Sequence, residues 1–285
     1  MFHQKLNIDI DYKKLGLEKT GDYQPTLECY IPYCARTPAA KRPTVVILPG
    51  GGYAGTSNRE AEPIALGFLE QGFNCFVVWY STTSSEENVA HFPTSLFETA
   101  TAIAMVRAHA DEWLVDTDKI FVCGFSAGGH LTGSIGTLWN HDFVKDALGF
   151  HNGEHKPNGI ILSYAVLLSS IHATLAHRGS FNNLLGSKAD DAETLDFLSL
   201  EKRVSEDTPP AFIWHTYEDQ AVDVRNSLAF ATAMADAGRP FELHIYPNGP
   251  HGIARADDST SMNGGYIFPE CQEWIRLASR WIKNL

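Results

Sequence analysis

The sequence contains no apolar run long enough to cross a lipid bilayer. Its longest strongly apolar stretch, Ile160 to Leu168, has nine residues and includes a serine and a tyrosine, whereas a membrane helix needs about 20 apolar residues. The amino terminus also lacks the basic start and apolar run of a secretory signal. We therefore expect a cytoplasmic protein with no membrane partner, and a mature secreted form is the alternative.

Cysteines are few, odd in number and not arranged in the C-x-x-C pairs of metal sites. Their spacing favours thiols that pack in the core of a protein from a reducing compartment. The segment 151–155 has a His at each end and a Glu between them, but its Asn and Gly break the helical pattern that a metal cluster needs. We expect a surface loop there and no bound metal. The five cysteines are Cys29, Cys34, Cys75, Cys123 and Cys271.

Positive charge is scarce in this chain. The 22 Lys and Arg residues are outnumbered by 34 Asp and Glu residues, which leaves a formal net charge of -12. Such a surface repels phosphate backbones, so we expect no nucleic-acid partner. A neutral or cationic small molecule fits better as the ligand, and self-association into a homo-oligomer is left open.

Short apolar runs bounded by turn residues recur along the 285 residues and alternate with stretches of helical spacing. The pattern predicts an α/β fold with a mostly parallel central sheet of about seven to eight strands and helices on both faces. We expect residues 1–285 to form a single domain, in which the segment 164–208 breaks the alternation as an insertion that shapes the substrate pocket. The predicted strands are 26–31 (an antiparallel edge), 44–48, 74–80, 119–123, 159–163, 211–215 and 241–246, and the clearest helical patterns are 96–104, 228–235 and 271–282.

The strongest motif is Gly124-Phe125-Ser126-Ala127-Gly128, which directly follows a predicted strand and precedes a run compatible with a helix. This is the G-x-S-x-G pattern in the strand-turn-helix context of a nucleophilic serine. The two glycines let the strand and the helix approach closely, and the helix N-terminus offers free N–H groups to a developing oxyanion. We predict that Ser126 is the nucleophile of an acyl-transfer enzyme; a structural glycine-rich turn is the alternative.

A second glycine cluster, Pro49-Gly50-Gly51-Gly52-Tyr53, directly follows the predicted strand 44–48. No G-x-G-x-x-G or G-K-[ST] pattern follows it, which argues against a phosphate-binding loop. An oxyanion needs two or three N–H groups aimed at one point, and residues without side chains let the backbone come that close. We predict the backbone of Gly51, Gly52 and Ala127 as the oxyanion hole, with no cofactor.

Twelve histidines compete for the role of general base. A serine hydroxyl needs a histidine to take its proton and a carboxylate to orient that histidine. Where nucleophile, acid and base follow in that order, the base lies after the last strand, and His251 sits there in a loop rich in Gly and Pro. Asp219 follows the preceding strand and is the predicted acid, whereas Asp223 is better placed to cap the next helix. Packing or hydrogen bonding is expected instead for His130, His215 and His244.

Together these motifs resemble the α/β-hydrolase superfamily over nearly the whole chain. The glycine cluster, the stretch from Ser57 to Ala65 and the serine motif resemble the branch of acetyl xylan esterase-related sugar esterases, although Pro49 stands where many esterases have histidine. The resemblance implies a Ser, Asp and His triad without metal or cofactor, acting on acetylated sugars. Arg59 and Glu60 receive no catalytic role, a structural ion pair being the simpler explanation, and a helix is expected to start near Pro63.

The predicted function is therefore a serine carboxylesterase that hydrolyses short-chain esters, above all acetyl esters of xylo-oligosaccharides or other acylated sugars. An amidase or formamidase on the same scaffold and a catalytically silent binding module are the alternatives. Aromatic side chains at or beyond strand ends are expected to build the rim of the site and to stack on sugar rings. Tyr53 and Tyr217 are the predicted substrate contacts, and Tyr80 and Trp214 are further candidates for the rim.

Overall fold

The computed structural model describes residues 1–33, 40–169 and 175–285, so Cys34 and part of the predicted insertion lie outside the described residues. Within these residues three strands come first, and the five strands that follow alternate with helices. The strands are β1 (Phe2–Asn7), β2 (Thr26–Ile31), β3 (Arg42–Leu48), β4 (Asn74–Trp79), β5 (Val115–Phe125), β6 (Gly159–Ser163), β7 (Ala211–Thr216) and β8 (Phe241–Tyr246).

All eight strands join one sheet, in the spatial order β1-β2-β4-β3-β5-β6-β7-β8. The six strands from β3 to β8 are mutually parallel, which confirms the predicted mostly parallel sheet. The strand predicted at 26–31 is present and antiparallel, but it is not the edge of the sheet. β1 pairs outside it, and five of the six β1 residues are exposed, so that strand lacks the apolar alternation by which sequence patterns reveal strands.

Helices cover both faces of the sheet, as predicted. Neighbouring residues of β5 point to opposite faces: Val122 packs in the cluster that contains the apolar face of α2, and Phe121 packs in the cluster that contains α1 and α8. In the described ranges, no helix is long and apolar enough to cross a membrane. The helices are α1 (Glu62–Glu70), α2 (Thr94–Ala108), α3 (Ser126–Leu138), α4 (Asp142–Leu148), α5 (Arg178–Leu185), α6 (Ala192–Phe197), α7 (Arg225–Asp236) and α8 (Trp274–Asn284).

The predicted helical patterns 96–104 and 228–235 lie within α2 and α7, whereas the pattern 271–282 starts three residues before α8. α1 begins beside Pro63 as expected. The four described cysteines are free and buried in the core. Between β6 and β7 the described residues form the short helices α5 and α6, and between β5 and β6 the chain forms α3 and α4, whereas the other successive parallel strands are joined through one α-helix each. Because the strands from β3 to β8 are parallel, the loops that follow β3, β5, β7 and β8 emerge at one edge, where a ligand site is expected in such sheets.

Candidate active site

The turn between β5 and α3 holds Ser126 in a strained backbone conformation. Its φ angle is 53°, in the left-handed region that side-chain-bearing residues rarely adopt. A Cβ added to Gly124 would lie 2.1 Å from the carbonyl oxygen of Gly128, and one added to Gly128 would lie 2.2 Å from that of Leu48. The turn therefore tolerates only glycine at both positions, and it places the serine hydroxyl at the carboxyl edge of the sheet.

Three loops bring a serine, a histidine and an aspartate into one hydrogen-bonded chain. His251 Nε2 lies 2.8 Å from Ser126 Oγ, and His251 Nδ1 lies 2.6 Å from Asp219 Oδ2. A carboxylate only accepts, so Nδ1 carries the hydrogen and Nε2 is left to accept from the serine hydroxyl. This arrangement can transfer a proton from Ser126 to His251 while Asp219 holds the imidazole in the required tautomer.

Asp219 is held as a carboxylate by donors on both of its oxygens. Its Oδ1 accepts from the N–H groups of Ala221 and Val222, each at 2.9 Å, and His215 Nε2 lies 3.2 Å from Oδ2. Burial alone would raise the pKa of Asp219, but the hydrogen bonds from His215 and His251 outweigh it and hold that pKa well below its usual range. His215, expected only to pack or hydrogen-bond, thus supports the acid directly.

The other two carboxylates near the end of β7 have different partners. Asp223 precedes α7, and its two oxygens accept from the guanidinium of Arg225 at 2.7 and 2.6 Å. Glu218 Oε2 accepts from the N–H of Gly249 at 3.3 Å. Of the three acids that follow β7, the structure brings Asp219 to His251.

Each carbonyl group of the three glycines in the loop after β3 accepts a hydrogen bond. In a planar trans peptide the N–H points away from the C=O, so the N–H groups of Gly51 and Gly52 face away from the donors that hold the preceding carbonyls. Within the described residues, no group accepts a hydrogen bond from the N–H of Gly51, Gly52 or Ala127. Three carbonyl contacts hold the loop: Gly50 accepts from Ser57 N at 2.9 Å, Gly51 from Ala54 N at 3.0 Å and Gly52 from Asn183 Nδ2 at 2.8 Å.

A cavity of about 730 Å³ opens beside the histidine of the hydrogen-bonded chain. Tyr217 lies on its wall with 70% of its surface exposed, and Tyr266 is a second aromatic side chain there. The cavity therefore offers aromatic faces and polar groups next to His251. Its lining residues are Tyr217, Glu218, Asp219, Gln220, Ala221, Pro250, His251 and Tyr266.

The structure separates the aromatic residues that were expected to form one rim. Tyr53 is 2% exposed, and its hydroxyl donates to Nδ1 of the buried His130 at 2.8 Å. The expectation that Tyr80 and Trp214 lie on the rim is wrong, because both are buried in the core. A position at a strand end does not reveal whether the side chain points to solvent or to a neighbouring helix.

Two further residues bear on the site although sequence reasoning assigned them no catalytic role. Instead of the ion pair with each other that the sequence suggested, Arg59 and Glu60 have separate partners. Arg59 donates to the carbonyl of Thr260 at 2.7 Å and to that of Gly252, next to His251, at 2.9 Å. Glu60 instead accepts from the N–H of Gly50 at 2.8 Å. Their stretch, just after the glycine loop, was noticed in the sequence, but no spacing rule indicated which loop each side chain would reach.

Comparison with known proteins supports a single family for most of the chain. The model of the BD-FAE family matches residues 27–234. An acetylxylan esterase of Xylanibacter ruminicola is 30% identical over 277 residues, which are 96% of this chain and 51% of that protein. The chain spans only 33% and 51% of the length of the first two curated relatives that it matches.

Solved structures resemble the chain along its whole length. An acetyl ester-xyloside bifunctional hydrolase from Caldicellulosiruptor lactoaceticus is 32% identical with a TM-score of 0.79, and the match covers 99% of this chain and 96% of that one. MGS-M1, an alpha/beta hydrolase enzyme from a deep-sea metagenome library, is 30% identical with a TM-score of 0.74 and coverages of 100% and 97%. These similarities confirm the predicted α/β-hydrolase fold.

Proposed function

Because the chain belongs to the BD-FAE family, we propose that it is a serine carboxylesterase that removes acetyl groups from xylo-oligosaccharides or other acylated sugars. The observation that carries the proposal is the hydrogen-bonded chain from Ser126 through His251 to Asp219. It lies beside the N–H groups of the glycine loop and Ala127, for which the described part of the chain supplies no acceptor. The acetyl and sugar parts of the proposal rest on similarity to an acetylxylan esterase and to an acetyl ester-xyloside hydrolase.

The proposed reaction has two steps that share one proton carrier. Ser126 Oγ attacks the ester carbonyl while His251 Nε2 takes its proton, and the N–H groups of Gly51, Gly52 and Ala127 stabilise the oxyanion. His251 then gives the proton to the leaving alcohol oxygen, which leaves an acetyl group on Ser126. A water molecule, deprotonated by His251, attacks that acyl-enzyme, and acetate leaves as the proton returns to Ser126.

The two sides of the site are assigned different parts of the substrate. Because His251 protonates the leaving alcohol, the sugar lies on the His251 side, where Tyr217 and Tyr266 line the cavity and aromatic faces suit sugar rings. The acetyl group then lies between the glycine loop and α5, where Asn183 holds Gly52. Tyr53 supports this loop from the interior.

We also propose that residues 1–285 act as one domain and that the segment 164–208 bounds the acyl side of the site. Strands from both halves of the chain, such as β2 and β8, belong to the same sheet. The segment reaches the glycine loop through Asn183, and a Cβ on Gly52 would lie 3.8 Å from Ser180 Oγ. A short acyl chain fits a site that is closed in this way.

The test is acetate release from acetylated xylo-oligosaccharides, measured beside a series of p-nitrophenyl esters from acetate to octanoate. We expect acetate release from the sugars and the highest kcat/KM with the shortest ester. A rise in kcat/KM from the acetate to the octanoate ester, or a failure to release acetate from the sugars, would overturn the assignment of acetylated sugars as substrates. The proposed serine hydrolase activity would still stand. Faster cleavage of matched amides or formamides would favour an amidase.

A further inference from the structure

Glu60 is a buried carboxylate that the proposed reaction does not use. It closes the short 3-10 turn Asn58–Glu60 and is 4% exposed. Its Oε2 accepts from the N–H of Gly50 at 2.8 Å, and its Oε1 accepts from the hydroxyl of Tyr164 at 2.7 Å. Burial raises the pKa of Glu60, and these two hydrogen bonds oppose that rise. Placing such a group in the interior is costly unless its partners are well arranged.

On one side, Glu60 controls the start of the glycine loop. A Cβ added to Gly50 would lie 2.8 Å from Glu60 Oε2 and 3.0 Å from Ser126 Cβ. The Gly50 backbone is therefore packed directly between the Glu60 carboxylate and Ser126, and this spacing leaves no room for a side chain at position 50. Because Gly50 directly precedes Gly51, a shift of the Glu60 carboxylate would displace the predicted oxyanion donors relative to Ser126.

On the other side, Glu60 reaches the loop of the histidine through Tyr164. The Tyr164 oxygen accepts from the N–H of Ala254 at 3.1 Å, and its ring meets the His251 ring edge-on, with 5.1 Å between the ring centroids. Tyr164 itself has a φ angle of 36°, so its position directly after β6 is held under backbone strain. The Glu60 carboxylate thus contacts Gly50, which precedes the predicted oxyanion donors, and Tyr164, which packs against the general base His251.

We propose that Glu60 is a positioning residue, which sets the separation between the oxyanion glycine loop and the histidine loop through Gly50 and Tyr164. The proposal rests on the proposed serine hydrolase function and adds a residue that touches neither substrate nor triad. Arg59 complements it from the same turn, since it holds the carbonyls of Gly252 and Thr260 in the histidine loop. Catalytic donors must stay within a few tenths of an ångström of their place, and misplacement by about 1 Å costs on the order of a hundredfold in rate.

Glu98 provides a matched control in the same protein. It is also a fully buried glutamate, and it too accepts from one backbone N–H, that of Ser81 at 2.7 Å, and from one tyrosine hydroxyl, that of Tyr12 at 2.8 Å. It differs from Glu60 by one further donor, the Ser81 hydroxyl at 2.7 Å. None of its hydrogen-bond partners among the described residues belongs to the triad or to the glycine loop. Glu60→Gln and Glu98→Gln therefore make the same chemical change, but only the first is made at the site.

The experiment measures how fast diethyl p-nitrophenyl phosphate labels Ser126 in the chain of residues 1–285, under conditions where each variant is folded. In this reaction Ser126 Oγ bonds to phosphorus, p-nitrophenolate leaves, and the serine proton passes to His251. The rate reports nucleophile and oxyanion geometry for any natural substrate. Steady-state kcat and KM for p-nitrophenyl acetate and the free energy of unfolding in urea complete the comparison.

We expect Glu60→Gln and Tyr164→Phe each to slow labelling and to lower kcat by about 10- to 100-fold, with KM changed by less than about threefold. The double variant should lose no more than the worse single variant, because both substitutions break the same connection. Glu98→Gln should lower the free energy of unfolding by a similar amount but keep the labelling rate within about twofold.

Labelling of folded Glu60→Gln within about twofold of the wild-type rate would overturn the proposal. So would losses that multiply in the double variant, or an equal loss of rate in Glu98→Gln. Failure of the wild type to be labelled would overturn both this proposal and the serine hydrolase. Labelling of the wild type without release of acetate from sugars would overturn only the substrate assignment, and the comparison of variants would still decide the role of Glu60.

Discussion

The side-chain amide of Asn183 lies 2.8 Å from the carbonyl oxygen of Gly52, 131 positions earlier in the chain. The contact ties helix α5 to the loop that is proposed to stabilise the oxyanion. The Gly52 carbonyl belongs to the peptide that joins Gly52 to Tyr53. Because Asn183 of α5 holds this carbonyl, that peptide plane cannot rotate freely. The segment between β6 and β7 therefore contributes to the geometry of the site without supplying a member of the triad.

Replacing Asn183 should impair catalysis more than stability. We expect Asn183→Ala to lower kcat about tenfold, less than the loss of about a hundredfold or more that removal of a direct oxyanion donor causes. The neighbouring Asn182 is exposed on the same helix, and Asn182→Ala serves as the control that should keep wild-type kcat. Steady-state kinetics on p-nitrophenyl acetate checks this prediction. Equal kcat values for both variants would show that the Gly52 contact has no catalytic consequence.

The two aspartates after β7 allow the same substitution to be compared at two neighbouring positions. Asp219→Asn removes the carboxylate that lies 2.6 Å from His251 Nδ1, so kcat should fall by about a thousandfold or more through loss of the correct tautomer. Asp223→Asn only weakens an exposed pair with Arg225 and should change kcat by less than about threefold. Hydrolysis rates of the two purified variants decide the question, and the reverse ranking would reassign the acid.

The buried His130 should make the protein lose stability in mild acid. Burial lowers the pKa of His130 from 6.5 to about 4, so between these values the unfolded chain binds a proton that the folded chain excludes. The free energy of unfolding should therefore fall as pH drops from 7 to 4, by about 3 kcal/mol from this residue. Urea unfolding across this range should show a smaller loss for His130→Gln than for the wild type.

The exposed His151 provides the control for that measurement. His151→Gln should keep the wild-type dependence of unfolding free energy on pH. If His130→Gln keeps it as well, the burial of His130 does not contribute to the sensitivity to acid.

The sequence predicted correctly those elements whose pattern lies within one short stretch of residues. The strands β3 to β7 could be located because a parallel sheet covered on both faces requires short, continuous apolar runs. The edge strand β8 has no buried residue, and its sequence alternates apolar and polar residues instead. Ser126 and the glycines around it could be found because strand, turn and helix packing demand small residues at fixed spacing. β1 was not predicted, because its mostly exposed residues follow no apolar pattern.

Contacts between distant segments could not be predicted in this way. Nothing near Glu60 in the sequence indicates that its carboxylate meets Tyr164, 104 positions later. The same holds for Arg59, whose partners are backbone carbonyls and carry no residue-specific signature. Tyr80 and Trp214 were misplaced on the rim because helix packing, not position at a strand end, decides which way a side chain points.

The most direct test of the account compares acetate release from acetylated xylo-oligosaccharides by the wild type, by Ser126→Ala and by Ser134→Ala. Ser134 is a buried serine of the same helix α3 and controls for loss of a hydroxyl. We predict that Ser126→Ala lowers kcat by at least about a thousandfold with an unchanged thermal melting temperature, while Ser134→Ala stays within about threefold of the wild type. Retention of wild-type acetate release by folded Ser126→Ala would contradict the account.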